Sequence, residues 1–307
     1  MLSVGILART GKWAESLERV LPGKGFSVSG WISPEPMPNG EFDELIGRSA
    51  LIWIPEILDD RMEAAARVIR KSKHLLLGFP VTAFVEEAFT LMKLSHEAQV
   101  MVQVGHHERH HPAIRSCMPL LNHPRAIYLQ HYLTTLPDPF LSPYFLYEMV
   151  SDLSLVLPLV QASLKKIKAH ACLSPQRDPV SVDVRIEFHN GALVSLLYRS
   201  LMEKAQHRIE IIQPESVLEI RLLEGESILR LPGFMPGEEG SSRLIWNSLR
   251  PGAEITEHED PQVEEQVSRC ISFLNTLRKG QGPLSPLEDG FQALEIATQV
   301  QSQICRY

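Results

Sequence analysis

The chain lacks most of the features that place a protein in a special class. No apolar run approaches the roughly 20 residues that a membrane-spanning helix requires, so a membrane protein is not expected. The first residues lead directly into the strand-like run Ser3–Leu7, which is too short and too lightly charged for a signal peptide. Cysteine is scarce. Cys117, Cys172, Cys270 and Cys305 lie far apart with no pairwise metal spacing, so reduced thiols and a cytoplasmic location are expected. A basic surplus is also missing: 30 Lys and Arg face 37 Asp and Glu, a net charge of −7, which argues against nucleic acid as a partner. The one notable basic run, Lys165-Lys166-x-Lys168, reads as a solvated helix end. Repeats and low-complexity segments are absent.

What the chain does have is an apolar fraction of 44 % over 307 residues, enough to build one large domain or two ordinary ones. Strand-like and helical patterns alternate up to Gly105. Ser3–Leu7, Phe26–Ile32, Ala50–Ile54, Leu75–Leu77 and Val100–Val104 are short apolar runs with helical spacing between them. Met62, Ala65, Ala66 and Ile69 form one inward stripe, with Asp59 or Asp60 as its cap; Val85, Ala88, Phe89 and Met92 form another. Such alternation predicts a doubly wound α/β domain with a parallel sheet. Ligands of these sheets lie outside the carboxyl ends of the strands, here the loops Gly78–Pro80 and Gly105–His111.

The texture changes after Pro112. A helix over Ala113–Leu121, a strand over Ala126–Leu133 and the proline-punctuated loop Pro137–Pro143 come first. A mostly apolar helix over Leu146–Leu164 follows, and then the pattern becomes mainly β. Val182, Val184, Ile186 and Phe188 alternate with Asp183, Arg185 and Glu187, a strand buried on one face, and His189-Asn190-Gly191 is a hairpin signal. Strands are expected at Ala192–Ser200, His207–Ile212, Val217–Leu222 and Ser227–Leu231. Gly233–Ser242 reads as a glycine-rich acidic loop. Asp260-Pro261 and the capping box Ser285-Pro286-Leu287-Glu288 start two terminal helices, Val263–Lys279 and Leu287–Cys305. The expected division is residues 1–118 and 119–307, with the last helix able to pack back on the first domain.

Three groups of residues carry candidate chemistry. His106-His107-x-Arg109-His110-His111 is conspicuous, but neighbours on a loop tend to point apart and Glu108 is the only close carboxylate, so no metal is assigned. His106 or His107 can instead exchange a proton with a ligand, because imidazole titrates near neutrality. Tyr144, Tyr147, Glu148 and Asp152 open the long helix of the second half. Tyrosine and acid together suit proton transfer, and aromatic packing in the core is the simpler account. Trp31 and Trp53 sit inside strands and are expected in the core.

Four motifs in order resemble the Gfo/Idh/MocA oxidoreductases, the family of glucose–fructose oxidoreductase and inositol dehydrogenase. Lys73-His74 through Pro80 is similar to its Lys-His-…-Glu-Lys-Pro segment, and Val102–Pro112 to its Met-Val-Gly-…-Arg-Phe-x-Pro segment. Ile186–Val194 is similar to its Phe-x-Asn-Gly-Ala hairpin, and Ser285–Gly290 to the start of its last helix. The resemblance implies an N-terminal Rossmann-like parallel sheet. It implies a C-terminal α+β domain with an open, mainly antiparallel sheet and helices on one face. It further implies NAD or NADP held between the domains, a sugar- or cyclitol-like substrate, and a homo-oligomer built through the open sheet. Positions that would meet the cofactor are Ala8, Arg9, Thr10, Gly11, Ser33, Pro55, Phe79 and Pro80. Catalytic candidates are His106, His107, Tyr147 and Asp152.

The functional positions of that family are nonetheless replaced. Ala8, Thr10 and Trp13 stand at its fingerprint glycines, Ser33 at its ribose-binding acid, and Gly78-Phe79 at its Glu-Lys pair. Its catalytic histidine and the following aspartate fall on Ser151 and Ser154; Asp152 is one position off the pattern. Two functions are therefore open: an atypical NAD(P)-dependent oxidoreductase, or a catalytically inactive relative that binds a ligand or a regulatory partner.

Overall fold

The structure is a computed structural model that describes residues 1–21, 23–34, 39–137, 145–176, 178–231, 242–247 and 261–304. Side chains at 39, 107, 242, 261, 262 and 264 fall outside that description, as do residues 138–144 of the proline-punctuated loop with Tyr144, the stretch 233–241, Asp260 and Cys305. In chain order the first elements are β1 (Leu2–Leu7), α1 (Lys12–Val20), β2 (Phe26–Ile32), α2 (Asn39–Arg48) and β3 (Leu51–Ile54). Next come α3 (Arg61–Arg70), β4 (His74–Gly78), α4 (Val85–Ala98) and β5 (Val102–Gly105). Then follow α5 (His107–His110), α6 (Pro112–Cys117), β6 (Ala126–Tyr132), α7 (Leu146–Val160), β7 (Leu164–Leu173) and β8 (Pro179–Phe188). The chain continues through β9 (Leu193–Arg199), β10 (Gln206–Ile212), β11 (Val217–Arg221), β12 (Glu226–Arg230), β13 (Ser242–Asn247), α8 (Pro261–Lys279) and α9 (Leu287–Ile304).

Two compact units result. One comprises Met1–His106 with Ile255–Phe291, the other His107–Glu254 with Gln292–Tyr307. The sequence reading drew its line at residue 118, and the chain crosses between the units three times. No helix among the described residues is long and apolar enough to cross a membrane.

The first unit holds a parallel five-stranded sheet in the order β2-β1-β3-β4-β5. Its central strands β3 and β4 are nearly continuous apolar runs because both faces are covered. Ile52, Ile54, Leu75 and Leu77 enter one core with Phe42, Ile46, Ala65, Val68 and Leu91 from α2, α3 and α4. The alternate residues Val4, Ile6, Leu51, Trp53 and Leu76 enter a second core with Trp13 and Leu17 of α1 and Phe273 and Leu274 of α8. Each such side chain, fully withdrawn from water, contributes about 1.5–3 kcal/mol. Strand order reverses between β1 and β3, so the loops after these two strands flank the crevice where such sheets bind ligands.

Some expectations for this unit are corrected. Trp31 is 43 % exposed, because β2 is an edge strand of the sheet. Phe89 is likewise exposed, and Leu91 and Ser95 complete the buried stripe of α4 with Ala88. Asp60 stands at the N-cap of α3 without a side-chain hydrogen bond. The hydroxyl of Ser285 makes no hydrogen bond among the described residues, and Glu288 pairs with His96 Nε2 at 2.6 Å, so the expected capping box does not form. Ser285 acts through its backbone: its carbonyl accepts the Val104 N–H at 2.9 Å, which fastens this segment to the edge of β5.

The second unit is an eight-stranded sheet, β13-β12-β11-β10-β6-β9-β8-β7, antiparallel except where β6 lies beside β9. Along β8 the burial alternates as the sequence predicts, with Val182, Val184 and Ile186 buried and Asp183 and Arg185 exposed. The turn to β9 places Gly191 at φ +82°, and Asn190 Oδ1 accepts the Ala192 N–H at 3.0 Å. α7 was expected to reach Leu164 and stops at Val160: Pro158 lies inside its last turn, and Gln161 leaves the helix at φ +50°. The lysine run belongs to β7 instead of a helix end. Lys165, Lys166 and Lys168 point outward and Ile167 and Ala169 inward, a period of two on the terminal strand of the sheet. Exposed lysines on an edge strand discourage pairing with another chain.

Between β3 and β4 the backbones approach so closely that a Cβ on Gly78 would lie 2.0 Å from the carbonyl oxygen of Pro55. Gly78→Ala must therefore displace backbone, not a flexible side chain, and should cost about 1–3 kcal/mol. Urea denaturation followed by circular dichroism should show a lower midpoint than wild type, whereas Gly47→Ala, with open space around it, should not.

Candidate functional site

In the first unit the turn after β1 is closed by a side chain from the loop after β3. Glu56 accepts the Arg9 backbone N–H at 2.8 Å through one oxygen and the Trp13 indole N–H at 3.2 Å through the other. The Arg9 guanidinium donates to the Ile57 carbonyl at 3.0 Å, so the two loops are tied together twice. Ala8 is buried, and a Cβ on Gly11 would sit 3.0 Å from the Trp31 ring. Ser33 lies just past the end of β2, half-buried. Pro55 is buried above Gly78. The peptide Phe79-Pro80 is cis, and buried Arg61 on α3 donates to the carbonyls of Gly78, Pro80 and Val81. The Arg61 guanidinium thereby organises the turn after β4.

The histidine-rich stretch is not an open loop. His106 is 1 % exposed, with its ring 4.8 Å from that of Phe79 and its Nε2 within 3.2 Å of where a Gly290 Cβ would stand. A side chain at 290 would press on His106, whose ring would have to give by a few tenths of an ångström. Residues 107–110 form the single turn α5. Glu108 accepts from the Ser151 hydroxyl, Arg109 donates to the Ser154 carbonyl, and the Ser154 hydroxyl donates to the Ser151 carbonyl at 2.7 Å. These contacts dock α5 on α7, which explains why serines occupy those helix positions. His111 caps α6: its Nδ1 accepts the Ala113 N–H at 3.2 Å. Tyr147 is half-buried in the first turn of α7. Among the described residues, the structure groups Asp152 with the titratable side chains of His131 and His207.

That group is built from a row across three strands. Register pairs His207 of β10 with His131 of β6, and His131 with Tyr198 of β9, so the three side chains lie side by side on one face. The rows beneath are apolar, Ile209-Leu129-Leu196 and Ile211-Ile127-Val194, and all six residues are buried. α7 crosses that face with Asp152 over the polar row. Its Oδ2 lies 3.0 Å from His131 Nδ1 and its Oδ1 2.7 Å from His207 Nε2. Asp152 is wholly buried, while His131 keeps 16 % of its side chain exposed. The two imidazoles stack at 4.0 Å between centroids and 17° between planes. Tyr198 is fully buried, and its hydroxyl has no hydrogen-bond partner among the described residues.

The charges follow from this geometry. Burial pushes the Asp152 carboxyl up, but the His207 and His131 imidazoles beside it prevail and hold it well below its ordinary value of 3.8. Burial would lower His131; the charge and hydrogen bond of Asp152, with Glu148 and Glu108 farther off, raise it above its ordinary 6.5. Burial and the Asp152 charge keep the Tyr198 phenol protonated. The ligand atoms of His131, Asp152 and His207 lie within 4.8 Å of one another, the spacing of a candidate metal site. Stacking argues against one. The lone pairs of an imidazole lie in the ring plane, and two nearly parallel planes 4.0 Å apart cannot both point at a single ion. The arrangement is a carboxylate clamped by two imidazoles, suited to holding and moving a proton.

Asp152 is a candidate from the sequence, and its neighbours His131, Tyr198 and His207 are not. A signal did exist: His131, Tyr198 and His207 each occupy an inward position of a strand whose other inward positions are apolar.

No protein-family pattern and no curated protein matches the sequence. Solved structures do match over nearly the full length. UDP-N-acetylglucosamine 3-dehydrogenase GnnA from Acidithiobacillus ferrooxidans is 16 % identical with a TM-score of 0.77, covering 99 % of this chain and 97 % of its own. Dehydrogenase MviM from Clostridium difficile is 13 % identical with a TM-score of 0.76, covering 99 % of both chains. An oxidoreductase from Agrobacterium radiobacter, in complex with NAD+, L-tartaric acid and magnesium, is 10 % identical with a TM-score of 0.76 over 99 % of this chain and 96 % of its own. The chain has the fold of the Gfo/Idh/MocA-type dehydrogenases, a Rossmann-like parallel sheet followed by a mainly antiparallel one.

The clamp gives stability a definite pH dependence. Asp152 is depressed on folding, so its contribution is present above about pH 3.8 and is lost as pH falls through the folded value. His131 is raised, so its contribution is full below about pH 6.5 and is lost as pH rises through the folded value. Denaturation midpoints of wild type minus Asp152→Asn should peak between those limits, with a loss of about 1–3 kcal/mol there. A difference that stays flat with pH would show that the clamp carries no proton linkage.

Proposed function

We propose that the second unit is an acid–base catalyst acting on a small polar substrate of the sugar or cyclitol kind. The observation that carries this reading is Asp152, wholly buried and accepting from His131 Nδ1 and His207 Nε2 on a row whose flanks are apolar. A carboxylate that fixes Nδ1–H leaves His131 Nε2 as the base, and the same carboxylate stabilises the imidazolium once a proton has been taken. His131 is the partly exposed member of the pair, so it is the one to meet substrate. The hydroxyl-rich substrate class is supported by the sugar-nucleotide dehydrogenase that shares the fold.

A nicotinamide dinucleotide is implied by that fold, and this chain's residues do not suit its diphosphate. The Arg9 N–H is already taken by the Glu56 carboxylate, Trp13 stands at a fingerprint glycine, and Phe79 replaces the lysine of the resemblance. Proton transfer is therefore assigned without a hydride step. The second reading, an NAD- or NADP-dependent dehydrogenase, is favoured by the whole-chain fold match and by the NAD+ bound to one of the matching structures.

One assay separates the two. The protein is incubated in deuterated water with ketoses, keto-cyclitols and sugar acids, without nucleotide, and NMR follows loss of the C–H signals beside each carbonyl. Proton abstraction by His131 predicts exchange that Asp152→Asn and His131→Gln slow by about 10²–10⁴-fold. Because a neutral imidazole is the base, the rate should rise with pH through the elevated His131 value. Turnover that requires NAD(P)+ and yields reduced nicotinamide would replace this reading with the dehydrogenase; no exchange with any compound would remove the acid–base role.

The same sheet supports a homo-oligomer as part of this proposal. On the face opposite the clamp, register aligns Tyr128, Glu210, Glu219, Ile228 and Leu244, with Tyr128 40 % and Leu244 39 % exposed. Light scattering should give a mass above one chain for wild type and one chain for Tyr128→Glu. A monomeric wild type would exclude the interface.

A further inference from the structure

The loop after β3 holds a charge where the fold would bring another of the same sign. In a doubly wound sheet, the backbone N–H groups between β1 and α1 lie at the positive end of the helix and receive the diphosphate of a dinucleotide. Here the Arg9 N–H donates to Glu56 at 2.8 Å. The other Glu56 oxygen takes the indole N–H of Trp13, in the first turn of α1, at 3.2 Å. The guanidinium of Arg9, a cation in the same turn, donates to the Ile57 carbonyl at 3.0 Å. Above this turn the Trp31 ring lies against Gly11, closely enough that a Cβ there would meet it at 3.0 Å.

We infer that Glu56 is a built-in anion that occupies the phosphate-binding turn and excludes dinucleotides from it. Three side chains act as one device. Trp13, which replaces a small residue of the fingerprint, provides the second donor to Glu56. Glu56 in turn satisfies the N–H that a phosphate would otherwise take. Trp31 covers the remaining backbone at Gly11. A diphosphate entering this turn would have to displace a carboxylate that is held by two N–H donors, or else share the helix end with it against like-charge repulsion. The device lies wholly in the first unit and is independent of the clamp around Asp152, so either can fail without the other.

Calorimetric titration of the full chain with NADH, and separately with ADP, tests the inference on wild type, Glu56→Gln and Glu56→Ala. Removing the charge alone (Gln) or the whole carboxylate (Ala) should open the turn. Wild type should show no saturable binding at millimolar nucleotide, and both variants should bind ADP at least about tenfold more tightly than wild type. NADH binding by wild type at micromolar concentration would overturn the inference. So would variants that keep a wild-type circular dichroism spectrum and denaturation midpoint yet gain no affinity, because the exclusion would then not come from Glu56. Gain in the Ala but not the Gln variant would also overturn it, since bulk and not charge would be the barrier.

Discussion

A carboxylate with no contact with solvent stays ionised only where protein donors take the place of water, and the second unit is arranged around one such group. Asp152 receives two imidazoles at 3.0 and 2.7 Å. Desolvation alone would favour its neutral form; the paired donors reverse that. The demand is geometric as much as electrostatic. It requires α7 to cross the sheet at the level of one particular row, and it requires β10, β6 and β9 to be neighbours in register. It also requires the apolar rows below to hold the helix down. The docking of α5 through Glu108 and Arg109 onto Ser151 and Ser154 fixes the same stretch of α7 from its other side. Loss of any of these would leave a buried charge with part of its solvation missing, which proteins tolerate poorly.

The first unit follows a different logic. Its sheet, its two cores and its strand order are those of a dinucleotide-binding fold, and the loops after β1, β3 and β4 are filled by the chain's own groups. Glu56 closes the turn after β1, Arg61 gathers the carbonyls after β4, and Gly78 lets β4 pass Pro55 at a distance no side chain would allow. His106, the residue that first suggests chemistry in this region, is packed beneath Phe79 and Gly290. The loops at the carboxyl ends of these strands make internal contacts. The carboxylate held by two imidazoles lies in the other unit.

Much of this architecture is legible in the chain. Two-face apolar runs separated by helical stripes specify a parallel sheet, because only a strand covered on both sides can afford no polar positions. The alternation of Val182 to Phe188 before Asn190-Gly191 specifies a one-sided hairpin for an equally local reason. Local patterns were misread where two periods compete over a short distance. The lysines after Pro158 fit a helix end by charge and a strand by alternation, and the proline settles it by ending α7 first. Trp31 fits a core strand by composition, and only its place at the sheet edge exposes it.

The sequence by itself determined the class of each half and the order of nearly all its elements, because these depend on residue type and on spacings within a few turns. Tertiary structure alone decided the site. His131, Asp152, Tyr198 and His207 meet because β6 lies between β10 and β9, a strand order that no spacing along the chain encodes. Glu56 reaches Arg9 and Trp13 for the same reason, β1 and β3 being neighbours in the sheet though more than 40 residues apart in the chain. Contacts between strands are set by the burial of whole faces at once. A lone polar residue on such a face therefore acquires its chemistry only from whatever the fold brings beside it.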